Sequence, residues 1–505
     1  MESAGEIAYE ASPLRGLALG VLCAKISLVV LVFDPFAMNV FSQPKALASH
    51  SLTYVLVGLL SALAFQHGRV MVPRSPLHLP VAAFGAAYVL AAMFAVDHRV
   101  ALYGAPDRGL GLGMTLDNVA LYAAAAVIVR TRADLAWVAR TLFGTTVVLA
   151  LYAAMQKLGL DPIGWASGFG ENRPFTTMGN AGALGVYMSA VAVGAATIAL
   201  AGMTLRWATI GLLCAALLGV WLAGARAAVV GLVIGGTVAI APLLLSFISR
   251  RIRLVAIGGL SIVSLATAGL LALVILAGTP SVLTASPQGL PDMLASRGGS
   301  ITGRLEIYRA AIEMVRDRPI LGVGPDNYVV AFPKYRAIVD PKTHESDAPQ
   351  SSTHSWLFKV LTDAGLVGLV SFASVILVAT ALAVRSGTPW SRASLAAIAA
   401  FLGTGLFSIN HIATEWMPWL GFGVIASRAG SHPKTAPDET MVEDGANSAA
   451  SRRASRRGRH SAGKARGPRQ LLPGAAIVIG VMLAMTPVRA IQAAHDAQNA
   501  RQAYR

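Results

Sequence analysis

Charge is scarce along this chain. Only 13% of its 505 residues are Asp, Glu, Lys or Arg, against 55% hydrophobic. Soluble domains carry about a quarter charged residues. The shortfall excludes an ordinary water-soluble globule and points to lipid as the solvent. Cysteine is scarcer still. Cys23 and Cys214 both lie in apolar runs, which excludes a disulfide framework and any Cys-based metal site. Several chemical signatures are missing as well. There is no HExxH, no Walker loop, no GxSxG, and no Asp-x-Asp in the loops assigned to the outer side. Those absences disfavour metal hydrolases, ATPases and enzymes that hold a nucleotide-sugar through a metal. No metal ligands are assigned.

What is present is a succession of long apolar runs. A helix needs about 20 apolar residues to cross the hydrocarbon core. Candidate spans fall near 14–33, 52–66, 79–96, 114–130, 136–156, 180–202, 206–223, 225–248, 252–277, 355–384, 391–409 and 413–427, with a further one at 472–488. The expected fold is an all-α polytopic membrane protein of about 12–13 transmembrane helices. It divides into transmembrane helices 1–9 over 1–277, a large extracytoplasmic loop over 278–354, helices 10–12 over 355–427, a disordered basic tail over 428–470, and a last helix with a short tail over 471–505. Lys and Arg in short loops mark the cytoplasmic side. One alternate set of loops holds Arg69, Arg74, Arg130, Arg132, Arg140, Arg206, Arg250, Arg251, Arg253, Arg385 and Arg392, and the other holds fewer basic residues. The first set is therefore cytoplasmic, the N-terminus with it, and the large loop faces out. The leader is acidic (Glu2, Glu6, Glu10) and lacks an A-x-A site, so the first span reads as a retained helix. Lys25 lies mid-span, where an ion costs a few kcal/mol. It needs a partner inside the bundle that the sequence does not name.

The formal charge of +16 invites a nucleic-acid reading, but its distribution argues against one. The basic residues sit in short loops and in the tail. Between 450 and 470 there are eight basic residues and no acid, the composition of a segment lying against anionic lipid. Interleaved aromatics are absent there, so membrane lipids are the expected partner and nucleic acid is not.

The outward loop is charge-balanced, with eight basic and eight acidic residues over 278–352. Phosphate binding there must come from placed arginines. Residues 301–318 read as an amphipathic helix, with Ile301, Leu305, Tyr308, Ile312 and Val315 on one face. Pro319 ends it. A turn-rich LGVGPDNY follows, and a polar run ending SSTHSW places His354 at the outer mouth of the next helix. His411 and Glu415 near the outer end of the last core span read as structural hydrogen-bonding groups. Taken alone, His354 reads as a helix cap, Arg226 as an arginine snorkelling to headgroups, and Arg304 as part of a solvated helix face.

Two long segments change that weighting. GRLEIYRAAIEMVRDRPILGVGPDNY (303–328) and THSWLFKVLTDAGLVGLVSF (353–372) together resemble the O-antigen ligase/O-antigen polymerase superfamily. The family pattern runs His, then Asn, Ser or Gln, nine residues, then Gly-x-x-Gly. Here it reads His354-Ser355, nine residues, Gly365-Leu366-Val367-Gly368. RPFTTMGNAG at 173–182, YGAPDRGLG at 103–111 and LAGARAAVVG at 222–231 are similar to further family segments. In the last, Ala225 and Ala227 flank Arg226 where the family usually has Ser-Arg-Gly. The resemblance covers about 100 to 430.

The resemblance implies a C-type glycosyltransferase-like fold in the bacterial inner membrane. It also implies transfer of a glycan from an undecaprenyl-diphosphate carrier to an acceptor hydroxyl at the outer leaflet, for cell-surface polysaccharide assembly, with no cofactor. The acceptor it implies is a glycan, a lipid or a protein. Ligase and polymerase share the donor chemistry, and a transporter of the same superfamily is the reading from another class. By the same resemblance His354 is the catalytic base, and Arg226, Arg304, Arg108 and Arg173 bind pyrophosphate or glycan. Arg suits a diphosphate because its planar fork pairs with phosphate oxygens and stays protonated. A His of ordinary pKa can take the acceptor proton.

Overall fold

The computed structural model describes residues 9, 12–37, 39–68, 72–165, 173–202, 206–246, 306–335 and 351–428. Among these, all regular structure is helical, as lipid demands: a helix satisfies its own backbone groups where no water reaches. The first helices are α1 (Pro13–Leu31), α2 (Ser42–His67), α3 (His78–Met93), the short α4 (His98–Tyr103), α5 (Leu112–Ile128) and α6 (Arg132–Lys157). A single 3-10 turn at Thr176–Met178 precedes α7 (Ala181–Leu200), α8 (Arg206–Ala223) and α9 (Arg226–Ser246). A helix over 306–317, here α10, comes next. The last are α11 (Tyr328–Tyr335), α12 (Trp356–Ser386), α13 (Pro389–Gly405) and α14 (Trp416–Ser427).

Five helices (α1, α2, α6, α7 and α12) are long and apolar enough to cross a membrane, and α3, α5, α8 and α9 are shorter apolar helices. The chain is a multi-pass, all-α membrane protein, as its composition predicts. The expected spans at 252–277 and 472–488, the tail beyond 428, most of the loop before 306, and Arg304 lie outside the described residues.

Local chemistry sets the helix ends. Thr131 and Asp134 form a reciprocal capping box at the start of α6. Asn180 caps α7 by accepting from the Ala183 amide at 3.0 Å. Thr388 caps α13, whose first residue is Pro389. Small residues then allow close packing. A Cβ at Gly185 would meet Ala225, and one at Gly231 would overlap Thr404, so α7, α9 and α13 lie almost in backbone contact. α12 packs on α3, and α14 on α5 and α13.

The ion buried mid-span finds its partners. Lys25 of α1 donates to the Ser49 hydroxyl (2.6 Å), the Thr53 hydroxyl (2.7 Å) and the Ser49 carbonyl (3.1 Å) of α2. Asp117 of α5 lies 3.7 Å away, where it also accepts from the Ser49 hydroxyl (2.6 Å) and pairs with His50 (2.9 Å).

One expectation is corrected. α10 forms, and it stops before Pro319, but its buried face is Ile307, Ala310, Ala311 and Met314. Ile312 is 42% exposed. The face is rotated because alanines let α10 sit close against Tyr328, Ala331 and Phe332 of α11. Ranking large aliphatics above alanine misreads such a contact.

Candidate functional site

The site is built on a break in a membrane helix. α12 is discontinuous at Gly365, where the backbone takes φ 61°, ψ −155°. A break inside a membrane exposes backbone donors and acceptors that must be satisfied. Here the segment before α11 fills the gap. The amides of Leu366 and Val367 donate to the Pro319 (2.8 Å) and Ile320 (3.3 Å) carbonyls, and the Val323 amide donates to the Thr362 carbonyl at 2.7 Å. Gly322 approaches the Thr362 carbonyl and Gly365 approaches Ile320 so closely that a Cβ at either would overlap backbone. The glycines of LGVGPDNY and of the Gly-x-x-Gly stretch are thus two halves of one joint.

Below this joint lies a buried ion cluster. Arg108, from the turn between α4 and α5, places its Nε 3.2 Å from Asp326, with side-chain exposures of 9% and 3%. Asp326 also accepts from the Ala105 (2.8 Å) and Leu110 (3.1 Å) amides. Its own amide donates to Asp363 of α12 at 3.0 Å. Lys359, one turn earlier, pairs with Asp363 and lies 3.9 Å from Asp326. Asn327 extends the seam, accepting from the Asp97 amide at 2.8 Å and donating to the Asp97 carbonyl at 3.1 Å.

His354 lies on the segment that leads into α12. It is half-buried, two residues before α12, and has a left-handed φ of 51°. Only a few per cent of non-glycine residues take that region, and strained backbone gathers at functional sites. Its amide donates to the Ser352 hydroxyl at 3.2 Å. The guanidinium of Arg108 donates to the Ser351 carbonyl at 2.6 Å, which ties the segment carrying His354 to the ion cluster.

Arg226 and Arg173 meet at another elbow. α8 and α9 are joined through Gly224 (φ 56°), and Arg226 is the exposed first residue of α9. Arg173, also exposed, reaches the Gly224 carbonyl at 3.5 Å. It is held there because Gln156 at the end of α6 accepts from the Phe175 (3.1 Å) and Thr176 (2.8 Å) amides. Two arginines thus stand at a helix N-terminus, an arrangement suited to anions.

The end of α13 bridges the two groups. Thr404 touches Gly231, in the second turn of α9, and the Leu402 carbonyl accepts from the Trp356 indole of α12 at 2.9 Å. Trp356, two residues after His354, and Gly231, five after Arg226, therefore meet the same end of α13. Behind α12 a cavity of about 60 Å³ is walled by Tyr88, Trp356, Phe372 and Trp419 and edged by Lys359, Asn410 and Glu415. Glu415 accepts from Asn410 at 2.8 Å. His411 accepts from the Ala413 amide at 3.2 Å; burial first, then the charges of Lys45 and Arg108, push its pKa down to about 3.

The sequence-derived residues thus divide. His354, Arg226 and Arg173 are gathered around one end of the bundle, Arg108 is engaged inside it, and Arg304 lies outside the described residues. Asp326, Lys359 and Asp363 were missed. Lys359 and Asp363, opposite charges four residues apart within an apolar span, were the available signal.

The O-antigen ligase family model matches residues 210–373. The matched stretch runs from α8 through the Gly365 joint and includes Arg226, Arg304 and His354. It bears out the resemblance read from the sequence motifs. No match was found among curated proteins.

Proposed function

We propose that this O-antigen ligase-like chain is an inner-membrane glycosyltransferase. It moves a glycan from an undecaprenyl-diphosphate carrier to an acceptor hydroxyl at the outer leaflet, with the N-terminus in the cytoplasm and the His354 end outside. The observation that supports this reading best is the pair of exposed arginines, Arg173 and Arg226, at the N-terminus of α9, whose second turn meets the same stretch of α13 as Trp356, two residues after His354. A lipid-borne diphosphate arrives at the membrane surface, where the arginines and the N-terminus of α9 neutralise it. The acceptor oxygen attacks the anomeric carbon as the bond to the diphosphate oxygen breaks. His354 takes the hydroxyl proton, and the carrier diphosphate leaves with the bond's electron pair, held by the arginines. One displacement inverts the anomeric centre. Arg304, near the start of the amphipathic helix in the outward loop, completes the proposed anion site.

A broken helix also suits a transporter. In this chain the break at Gly365 is filled by residues 319–323, so it leaves no open backbone for cargo. Ligase and polymerase differ only in the acceptor. Membranes carrying His354→Ala or Arg304→Ala are expected to accumulate carrier-linked glycan and to lose the decorated product. Normal product from either variant sinks the proposed site. In a deletion strain, intact chains retained on the carrier identify a ligase, and shortened chains a polymerase.

A further inference from the structure

We infer that Arg108 is a positioning residue that acts through His354, and not one that touches the diphosphate. The inference rests on the transferase reading, and its test includes a readout that needs no turnover.

Three observations carry it. First, the Arg108 side chain is 9% exposed, and its guanidinium meets two partners, Asp326 at Nε (3.2 Å) and the Ser351 carbonyl at Nη1 (2.6 Å). At that exposure little of the group is open to a ligand. Second, Ser351 stands three residues before His354, and the intervening chain is short and buried. Ser352, Thr353 and Ser355 are all at or below 5% exposure. A shift of the Ser351 carbonyl is therefore passed to His354. Third, Asp326 does not merely neutralise Arg108. It collects the Ala105 and Leu110 amides, and its own amide reaches Asp363 on the helix that His354 precedes. Arg108 thus ties the segment bearing His354, through Asp326, to the helix that follows it. His354 itself is held at φ 51°, a conformation that persists only where its surroundings enforce it.

Lysine is the informative replacement. An ammonium keeps the charge opposite Asp326 but lacks the planar fork that spans both partners. Arg108→Lys should fold, retain donor binding and misplace His354. A misplacement of an ångström costs up to about a hundredfold in rate.

The experiment uses the full chain in membrane vesicles with a lipid-diphosphate-linked glycan as donor. For Arg108→Lys and Asp326→Asn, kcat is expected to fall about tenfold or more while the donor KM stays within about twofold, since an interaction realised only in the transition state lowers kcat alone. Adding Arg108→Lys to His354→Ala is expected to produce no further loss, because residues that act as a unit are non-additive. A raised donor KM, or additive losses in the double variant, overturns the inference and returns Arg108 to the diphosphate. In parallel, the rate at which diethyl pyrocarbonate modifies His354 is read by mass spectrometry. A rate changed in both variants supports the positioning role, and a rate equal to wild type overturns it. If the wild-type chain consumes no carrier-linked glycan, the transferase reading fails, and the modification rates still decide whether Arg108 sets the placement of His354.

Discussion

Gly365 of α12 lies against Ile320 so closely that a Cβ on the glycine would overlap the Ile320 backbone. This contact joins the two motif-bearing segments, and its replacement should separate them. Gly365→Ala combines a backbone conformation (φ 61°, ψ −155°) open essentially only to glycine, costing roughly 1–3 kcal/mol for a residue with a Cβ, with a clash against backbone that has no side chain to move aside. The expected result is a lowered melting temperature and loss of glycan transfer. Gly16 of α1 has nothing within 4 Å of its Cβ position, so Gly16→Ala should leave the melt unchanged or raise it by up to about 1 kcal/mol in stability. Equal melts for the two variants would show that the joint contributes nothing.

Arg226 and Arg173 make a different kind of prediction from Arg108. Both are exposed, and among the described residues Arg173 makes one long hydrogen bond, 3.5 Å to the Gly224 carbonyl. If they receive the diphosphate, Arg226→Gln and Arg173→Gln should raise the donor KM. A hydrogen bond to a charged group contributes about 1.5–3 kcal/mol, which is a factor of roughly ten to a hundred. The effect should shrink as salt is raised, because exposed charges are screened. Donor saturation curves at two salt concentrations check this, and unchanged KM values would remove both residues from the anion site.

Much of this site was legible because lipid simplifies the problem. Long apolar runs and their basic loops give the helices, and the spacing from His354 to Gly365 gives the segment that matters. Two things were not legible. The docking of LGVGPDNY into α12 is a tertiary contact, and glycine spacing signals that something approaches closely without naming what approaches. Arg108 shows the second difficulty. An arginine in an outward loop has the same sequence signature whether it meets a phosphate or is claimed by Asp326, more than two hundred residues away. Pairing over that distance sets the role, and no local pattern records it. The same holds for Lys25, whose partners on α2 and α5 are fixed only when those helices pack.

Lys25 and Asp117 also make a stability prediction. Both side chains are almost fully buried, and Ser49 bridges them. Asp117→Asn leaves a buried ammonium without its counter-charge, and breaking a buried pair by removing one partner costs about 3–5 kcal/mol. Lys25→Met together with Asp117→Leu removes both charges and should recover most of that loss. Melting temperatures of the single and double variants in detergent test the pairing. A double variant less stable than Asp117→Asn would contradict it.

His411 gives the chain an acid limit. Its pKa is pushed down to about 3 from the usual 6.5, by burial first and then by the positive charges of Lys45 and Arg108. Its Nδ1 accepts the Ala413 amide, so the folded protein holds the neutral ring. The unfolded chain binds a proton as pH drops below about 6.5, and the folded one resists until about 3. Stability from this group is therefore complete above the unfolded pKa and is lost as pH falls through that window. The slope is at most about 1.4 kcal/mol per pH unit, and less where solvent reaches the ring. His411→Gln keeps an acceptor for Ala413 and removes the titration. Between pH 7.5 and 5 the melting temperature of His411→Gln should fall less than that of wild type. Parallel melting curves for the two proteins would show that His411 does not couple folding to pH.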